Sequence, residues 1–278
     1  MGIERDKVKV WYYSPFPPDY FCDTLYVCDI CLTFYTERQQ MQEHGKRCRQ
    51  SGPPGDEIYR DGEIAMFELD GKLQRTYCEN LCLVSKLFLD HKTLRYDCEP
   101  FHFYVLTERK KNSSGEYKYH FCGYFSKEKG WNIENNLSCI LVMPYCQRKG
   151  YGKFLIAFSY ELSILEGRIG TPERPLSDLG FRSYISWWAH KIITFLLSVG
   201  KAASALSLSE IAEKTAIEQN DVLYVLENFK ILRKVHNQQI LFTHKDYLEE
   251  ILKHLGSSGR EVRRDRIRWI PNLLKPEK

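Results

Sequence analysis

Residues 145–162 read YCQRKGYGKFLIAFSYEL, and this stretch decides how the rest of the chain is interpreted. It places two glycines and several cationic side chains between an apolar run, LSCILVMP at 137–144, and an apolar segment with helical character. Glycine lets successive backbone N–H groups turn toward one point without a Cβ in the way, and a helix that starts there adds the positive end of its dipole. The stretch therefore predicts a strand-to-helix corner that binds an anion.

The glycine spacing narrows the kind of anion site. A Walker A loop is absent, and a dinucleotide fingerprint needs a third glycine where Leu155 stands. The spacing that remains, Q/R-x-x-G-x-G over 147–152, resembles the diphosphate cradle of acetyl-CoA-dependent N-acetyltransferases. The alternative is that the glycines only form a tight turn, but a turn does not account for the flanking Arg148, Lys149 and Lys153.

The composition indicates a folded globular protein of one or two domains, since 43% of the 278 residues are hydrophobic and 14% are aromatic. The formal net charge of +4 permits a nucleic-acid or chromatin partner without indicating one. No apolar run reaches the length of about 18 residues that a membrane helix needs, and the start MGIERDKVKV lacks a signal segment. We therefore expect a soluble, intracellular protein that does not associate with membranes.

Four of the cysteine and histidine side chains have the spacing of a zinc site. Cys28, Cys31, His44 and Cys48 follow the pattern C-x2-C-x12-H-x3-C, which can supply four tetrahedral ligands. Thr36-Glu37 can start a helix that carries His44 and Cys48 on one face. We interpret the cluster as a structural zinc finger; the alternative is three ordinary cysteines and a surface histidine. Six of the other seven cysteines are predicted to be small core residues: Cys22, Cys78, Cys82, Cys98, Cys122 and Cys146. Of these, Cys22 alone is near enough in sequence to compete as a ligand.

Local patterns predict several further elements. Alternating apolar residues around Asp70-Gly71 predict a β-hairpin over 63–78, with that dipeptide as its turn. Apolar periodicity predicts helices over 154–166 and 184–199. The order helix, turn, helix and hairpin over 206–243 is typical of a winged helix-turn-helix.

Collinear motifs along nearly the whole chain resemble the MYST family of histone and protein lysine acetyltransferases. They include WYYSPFP at 11–17, the C2HC finger, YFSKEK at 124–129, the glycine loop and PERPLSDLGFRSY at 172–184. The resemblance implies an α/β (α+β) fold with a GNAT-like acetyltransferase core, an N-terminal C2HC zinc-finger region and a C-terminal winged helix-turn-helix-like region. We divide these regions at 1–54, 55–190 and 191–278. Cys146 departs from the family, which commonly has another residue type there.

The resemblance also implies an activity and its setting. The expected reaction moves the acetyl group of acetyl-CoA to a lysine ε-amine, with zinc as a structural ion. The implied partners are core-histone tails, histone H4 first, together with non-histone lysines and the subunits of a nuclear acetyltransferase complex that regulates chromatin and transcription. DNA contact is expected to be secondary.

A lysine substrate needs a base because its ammonium form, with a pKa of about 10.4, is not a nucleophile. Position alone leaves Glu161 and Glu173 open, and the resemblance implies Glu173. Cys139 aligns with a family cysteine whose covalent role is disputed, and we favour direct attack in a ternary complex over an acetyl-enzyme. Lys92 aligns with a lysine that is autoacetylated in the family; the alternative is a plain solvated lysine.

The resemblance assigns the cofactor contacts to three parts of the chain. The strand backbone of Ile140, Leu141 and Val142 is implied to pair with the pantetheine arm, and we hypothesise that N–H groups there also polarise the thioester carbonyl. Ser177 and Ser186 are implied to make further contacts. The implied diphosphate ligands are Gln147, Arg148, Lys149, Gly150, Tyr151, Gly152 and Lys153.

Two other kinds of protein are alternatives. A zinc-finger and winged-helix DNA-binding protein accounts for the cysteine cluster and the last third of the chain, but gives the glycine loop no purpose. It would bind DNA with a steep salt dependence. A catalytically inactive CoA-binding scaffold accounts for the loop but not for Glu173 and Cys139, and it would be indifferent to Glu173→Gln.

Overall fold

The structure is a computed structural model that describes residues 2–3, 6–90, 97–130, 135–236 and 238–271. The chain divides into two units. The first is drawn from Met1–Trp131, Ser138–Lys149 and Arg263–Trp269, and the second from Asn132–Leu137, Gly150–Val262 and Ile270–Lys278. The three sequence-defined regions remain a prediction. Among the described residues, no helix combines the length and apolar character that a membrane span requires.

The elements alternate between strands and helices along the chain. The strands are β1 (Gly2–Ile3), β2 (Asp6–Lys7), β3 (Tyr26–Val27), β4 (Phe34–Tyr35), β5 (Asp56–Asp61), β6 (Ile64–Asp70), β7 (Phe101–Lys111), β8 (Tyr117–Glu128), β9 (Asn135–Leu137), β10 (Cys139–Val142), β11 (Thr171–Pro172), β12 (Leu232–Val235) and β13 (Gln238–Leu241). The helices are α1 (Arg38–Arg47), α2 (Arg75–Lys86), α3 (Tyr151–Leu165), α4 (Asp178–Val199), α5 (Leu208–Thr215), α6 (Gln219–Asn228) and α7 (Lys245–Leu255). This mixed content confirms the predicted α/β fold class.

A five-stranded sheet forms the centre of the first unit. Its order is β10-β8-β7-β6-β5, and every neighbouring pair is antiparallel. Buried aromatic residues pair across β7 and β8, as in the stacked rings of Tyr104 and Phe125, whose centroids lie 4.7 Å apart. Apolar residues of α2, including Leu81, belong to the same hydrophobic cluster as the sheet. The sheet order leaves β10, the strand before the glycine loop, at an edge.

The predicted hairpin at Asp70-Gly71 is wrong. The hairpin forms between β5 and β6 instead, where Gly62 has a φ of +60°, and β6 ends at Asp70 before the chain enters α2. The Asp70 carboxylate accepts hydrogen bonds from the backbone N–H of Lys72 at 2.7 Å and from Lys129 Nζ at 2.7 Å. Asp-Gly therefore serves a side-chain-stabilised turn into a helix, a use that local pattern does not distinguish from a hairpin turn.

In the second unit α3 and α4 are joined by a buried aromatic cluster. Trp188 of α4 donates its Nε1–H to the hydroxyl of Tyr160 on α3 at 2.7 Å, and the Tyr160 ring stacks on Trp187 at 4.5 Å. Both predicted helices form, and each begins earlier than its apolar periodicity indicated, at Tyr151 and at Asp178. The helix that follows the glycine loop is thus fixed to the longest helix of its unit.

The predicted winged helix-turn-helix arrangement is confirmed by α5, α6 and the antiparallel pair β12–β13. A capping box starts α5, in which the Ser207 hydroxyl accepts from the Glu210 backbone N–H and Glu210 accepts from that of Ser207. The second helix, α6, reads QNDVLYVLEN and contains no lysine or arginine. Its charge is therefore unlike that of a helix that contacts DNA phosphates.

We expect Asp70→Asn to lower the free energy of unfolding by about 1–2 kcal/mol near neutral pH. Burial disfavours the charged carboxylate, but hydrogen bonds from Lys129 and the Lys72 N–H outweigh it and hold the pKa of Asp70 below its ordinary value of 3.8. A lowered carboxyl pKa stabilises the folded state above that ordinary value, and the contribution is lost as the pH falls through the lowered pKa.

Denaturant unfolding of both proteins from neutral to acidic pH measures this contribution. The stability difference should shrink as the medium becomes more acidic than about pH 4. Asp23→Asn, at an exposed carboxylate of the same unit, is the control. A pH-independent difference would contradict the role of the ionised carboxylate.

Candidate functional site

The four predicted metal ligands converge in the first unit. One ligand atom from each of Cys28, Cys31, His44 and Cys48 lies within 4.8 Å of all the others. The sulfur of Cys31 is 3.2 Å from Nε2 of His44. Two cysteines are buried and the other two ligands are half-buried, so the donor set is closed on itself. Three thiols and one imidazole at this spacing fit a structural zinc ion.

Local backbone geometry produces this convergence. Cys28 and Cys31 lie in the reversal between β3 and β4, where Leu32 takes a φ of +59°. His44 lies on α1, whereas Cys48 follows the last helical residue in extended conformation, and its N–H bonds to the carbonyl of His44 at 2.7 Å. The prediction that the helix carries both ligands is therefore correct for His44 only. Cys48 lies just after the end of α1 and joins the cluster from there.

The thiols of the cluster shift one another's pKa values. The hydrogen bond from the Cys28 thiol lowers the pKa of Cys31 to about 4, and the same contact raises the pKa of Cys28. Burial is the main cause that raises the pKa of Cys48. A lowered thiol pKa favours the thiolate, which is the form that binds metal ions.

The glycine loop forms the predicted corner between β10 and α3. Arg148 has a φ of +63°, and Gly150, the N-cap of α3, has a φ of +83° in the left-handed region. Left-handed backbone costs glycine little, and Gly150 offers no side chain that could cap α3. The first N–H groups of α3 are thus not capped by their N-cap residue, which is the condition that favours an anion.

The cations around the loop have different surroundings. Arg148 is exposed. Lys149 forms an ion pair with Glu108 at 2.9 Å, and that hydrogen bond raises the pKa of Lys149. Lys153 donates to the carbonyl of Ser257 at 2.5 Å, and burial lowers its pKa. Positive charge is present at the corner, but two of these three side chains already have protein partners.

The other residues predicted to contact the cofactor lie on β10, in the loop that follows it and in the first turn of α3. Ile140, Leu141 and Val142 pair with β8 along one edge only in the sheet order, and Gln147 donates to the carbonyl of Val142 at 3.1 Å. An edge strand presents backbone donors and acceptors that an extended ligand can pair with. Tyr151 is buried in the first turn of α3, and Gly152 has open space where a Cβ would be.

Glu173 lies on an exposed segment whose backbone and flanking side chains form hydrogen bonds with Leu137 and Asp221. Its backbone N–H bonds to the carbonyl of Leu137 at 2.8 Å. The hydroxyl of Thr171 donates to the Asp221 carboxylate at 2.8 Å, and the Arg174 guanidinium donates to the same carboxylate. Asp221 lies on α6 and its side chain is only 1% exposed. The buried carboxylate of Asp221, in the winged-helix region, therefore binds Thr171 and Arg174, which lie on either side of Glu173.

Sequence reasoning missed Asp221 because its partners are about fifty positions away, and a carboxylate in the first turn of a helix is common without such partners. Burial raises the pKa of Asp221, and hydrogen bonding to Thr171 and Arg174 opposes that rise. A buried carboxylate needs such partners, since its charge is otherwise strongly disfavoured.

The other predicted site residues lie in separate elements. Cys139 is half-buried at the start of β10 in the first unit, where its backbone N–H bonds to the Ser126 hydroxyl at 3.2 Å. Glu173 and Glu161 belong to the second unit. Ser177 is the N-cap of α4, with its hydroxyl accepting from the Gly180 N–H at 3.1 Å, and Ser186 is half-buried within α4. Lys92 lies outside the described residues.

Comparisons with known proteins are consistent across the chain. A profile described as the MOZ/SAS family matches residues 52–267, and one described as the MYST family zinc finger domain matches residues 3–48. The "Histone acetyltransferase of the MYST family 2" of Arabidopsis thaliana is 45% identical over 270 residues, covering 97% of this chain and 59% of that protein.

Fungal relatives match to a similar degree. The "Histone acetyltransferase ESA1" of Candida glabrata is 44% identical over 96% of this chain and 58% of its own length. Its counterpart from Saccharomyces cerevisiae is 42% identical over 96% of this chain and 59% of its own length. The chain thus spans 58 to 59% of the length of these relatives.

We expect Asp221→Asn to loosen residues 171–175 more than it destabilises the fold. Asparagine removes the charge that Arg174 binds, and Arg174 is 53% exposed, so water can solvate it when the pair is lost. The cost in unfolding free energy should be about 1–2 kcal/mol. Hydrogen–deuterium exchange should show faster exchange of the Glu173 amide.

The matched control is Asp246→Asn, at a carboxylate that is 86% exposed on α7. It should leave exchange at 171–175 unchanged. Equal protection of the Glu173 amide in the Asp221 variant and the unaltered protein would show that the carboxylate does not hold this segment.

Proposed function

The chain belongs to the MOZ/SAS (MYST) family, and from this premise we propose that it is a lysine N-acetyltransferase that moves the acetyl group of acetyl-CoA to a lysine ε-amine. The observation that carries the proposal is the left-handed corner at Gly150, which presents the start of α3 at the end of an edge strand. A diphosphate is the anion that this corner and its cations suit. The family profile covers the same residues.

Acetyl-CoA binding is proposed to use the strand and the loop together. The backbone of Ile140 to Val142 pairs with the extended pantetheine arm, and residues 147–153 bind the diphosphate through N–H groups and cations. Ser177 and Ser186 contribute further contacts. Ser177 can do so through a lone pair of its hydroxyl, because its role as N-cap uses the oxygen as an acceptor only once. Bound acetyl-CoA supplies the activated acyl group as a thioester.

Glu173 is proposed as the general base. Its side chain is exposed. Its backbone is fixed by the hydrogen bond to Leu137 and by the hydrogen bonds of Thr171 and Arg174 to Asp221. A base on a fixed backbone removes the ammonium proton without losing its position during the reaction. The freed amine then attacks the thioester carbon directly. The amide bond forms as the carbon–sulfur bond breaks, and coenzyme A leaves as a thiol that takes up the second proton of the amine. Direct attack does not require the Cys139 thiolate. We therefore propose that Cys139 has a positioning role on β10 and forms no acetyl-enzyme.

The four-ligand cluster is proposed to hold one zinc ion as a structural brace. The support is the convergence of its donors and the match of residues 3–48 to a zinc finger profile. Asp29, between the first two ligands, accepts from His120 of β8 at 2.5 Å, and its carbonyl accepts from the Phe121 N–H at 2.8 Å. These bonds tie the zinc-binding loop to the main sheet, as expected of a brace.

The proposed substrates are core-histone tails, with histone H4 favoured, and the proposed setting is a nuclear complex that acts on chromatin and transcription. The support is that the relatives compared above are named histone acetyltransferases. Acetylation of Lys92 stays a prediction. DNA binding is not proposed as the main function, because α6 carries carboxylates at Asp221 and Glu227 and no cation.

We expect Glu173→Gln to retain acetyl-CoA binding and lose acetyl transfer by about 10²–10⁴-fold at neutral pH, because glutamine cannot accept the proton. Activity should recover in part at higher pH, where more of the substrate amine is already neutral. The measurement uses labelled acetyl-CoA with separated core histones, followed by mass spectrometry to map the acetylated lysines.

Two matched variants make the assignment specific. Glu161→Gln, on α3, should retain transfer, and Cys139→Ser should too if attack is direct. Full neutral-pH activity of the Glu173 variant would refute its role as base. A Cys139→Ser loss as large as that of Glu173→Gln would favour the acetyl-enzyme route instead.

For the zinc proposal, Cys28→Ser should lower bound zinc by about one equivalent per chain and lower the melting temperature, because three ligands cannot complete a structural site. Metal analysis of the purified full chain measures the ratio. Cys22→Ser, at an exposed cysteine outside the cluster, is the control and should keep the metal. An unchanged ratio in the Cys28 variant would defeat the ligand assignment.

A further inference from the structure

A second group of metal-ligand side chains lies away from the zinc-finger cluster, in the main sheet. It consists of Glu108 on β7, Cys122 on β8 and Cys146 in the short turn after β10. One ligand atom from each lies within 4.8 Å of the other two, and all three residues are buried. The Cys122 thiol donates to the backbone carbonyl of His120 at 3.5 Å. The function proposed above uses none of these side chains.

The geometry of the group suits a small thiophilic cation. Zinc–sulfur bonds are about 2.3 Å long and zinc–carboxylate bonds about 2.0–2.2 Å, so tetrahedral donors lie roughly 3.5–3.8 Å apart. The observed limit of 4.8 Å needs only a small closure of the three side chains. Two sulfurs and one oxygen leave a fourth position for water or for the second oxygen of Glu108.

Outer contacts orient the carboxylate in the way that metal sites commonly show. Lys149 Nζ lies 2.9 Å from Oε1 of Glu108, and Lys110 Nζ lies 3.1 Å from Oε2. The two oxygens of a carboxylate together offer about four lone pairs, so Glu108 has lone pairs left for a cation beside both lysines, although their positive charges weaken its binding. Hydrogen-bonded carboxylate ligands are typical of such sites.

The carboxylate of the group lies close to the surface. The Glu108 side chain is 11% exposed, whereas those of Lys149 and Lys110 are 46% and 45% exposed. Glu108 is thus the most accessible of the three ligands. Cys122 and Cys146 are 1% and 2% exposed, which keeps bulk water from the thiolate side.

We propose that Glu108, Cys122 and Cys146 bind a second thiophilic divalent cation, with Zn²⁺ as the reference ion. Binding forms two metal–sulfur bonds and one metal–oxygen bond, and the two thiol protons pass to solvent. The dipositive ion replaces two protons, so the charge of the cluster does not change and no electron is transferred. The site is independent of the transferase proposal, since its occupancy is read as bound metal.

The position of the site gives it a consequence for the glycine loop. Cys146 immediately precedes Gln147, and Lys149 is shared between the loop and Glu108. An ion held by Cys146 and Glu108 would fix the start of residues 147–149.

Equilibrium dialysis of the full chain against Zn²⁺, followed by metal analysis, tests the proposal. The unaltered chain should bind about one equivalent more than the finger alone accounts for, and Cys122→Ala with Cys146→Ala should lose that equivalent. The matched control replaces Cys82 and Cys98, two buried cysteines of the same unit whose sulfurs lie 3.9 Å apart, by alanine. This control should keep the extra equivalent, and Glu108→Gln should weaken its binding.

A titration of the unaltered chain with Cd²⁺ decides the matter without any variant. The thiolate-to-cadmium absorbance should correspond to about five bound cysteines, three from the finger and two from the new site. Absorbance that stops at about three cysteines, or an alanine pair that binds as much zinc as the unaltered chain, would overturn the proposal.

Discussion

The structure depends most on a backbone constraint at the end of β10, where Arg148 and Gly150 take left-handed conformations. This turn lets the chain leave the edge of the main sheet and start α3 with a glycine as N-cap. Only glycine takes that conformation at little cost and without a side chain that could cap the helix. A Cβ on Gly150 would also come within 3.4 Å of the backbone nitrogen of Arg260. The proposed diphosphate site follows from this corner.

A second constraint supports the segment that carries the proposed base. Residues 173–175 are exposed, yet Asp221 binds both Thr171 and Arg174 from within α6. The burial of Asp221 makes these bonds costly to break, because an unpaired carboxylate in that position is strongly disfavoured. The winged-helix region thus has a positioning role that needs no nucleic acid, which agrees with the absence of cations on α6.

The cysteines show how one residue type serves different purposes in this chain. Spacing separated the four-ligand cluster from the other cysteines, and the structure brings that cluster together. The prediction that other cysteines are small core residues is wrong for Cys22, which is exposed, and is confirmed for Cys122 and Cys146, which are buried. What spacing did not indicate is that Glu108 lies beside them, because β7 and β8 bring these positions together only when the sheet forms.

The sequence by itself determined the features that depend on neighbouring residues: the finger ligands, the glycine corner, the helices after it and the winged-helix order. These are set by short-range geometry, so spacing and periodicity suffice to predict them. The hairpin turn predicted at Asp70-Gly71 is wrong, because the same dipeptide also suits a turn into a helix. Lys129, which follows β8, stabilises that turn by its hydrogen bond to Asp70. Only the tertiary structure decided that Asp221 grips the Glu173 segment and that Glu108 meets two thiols, since those partners lie far apart along the chain.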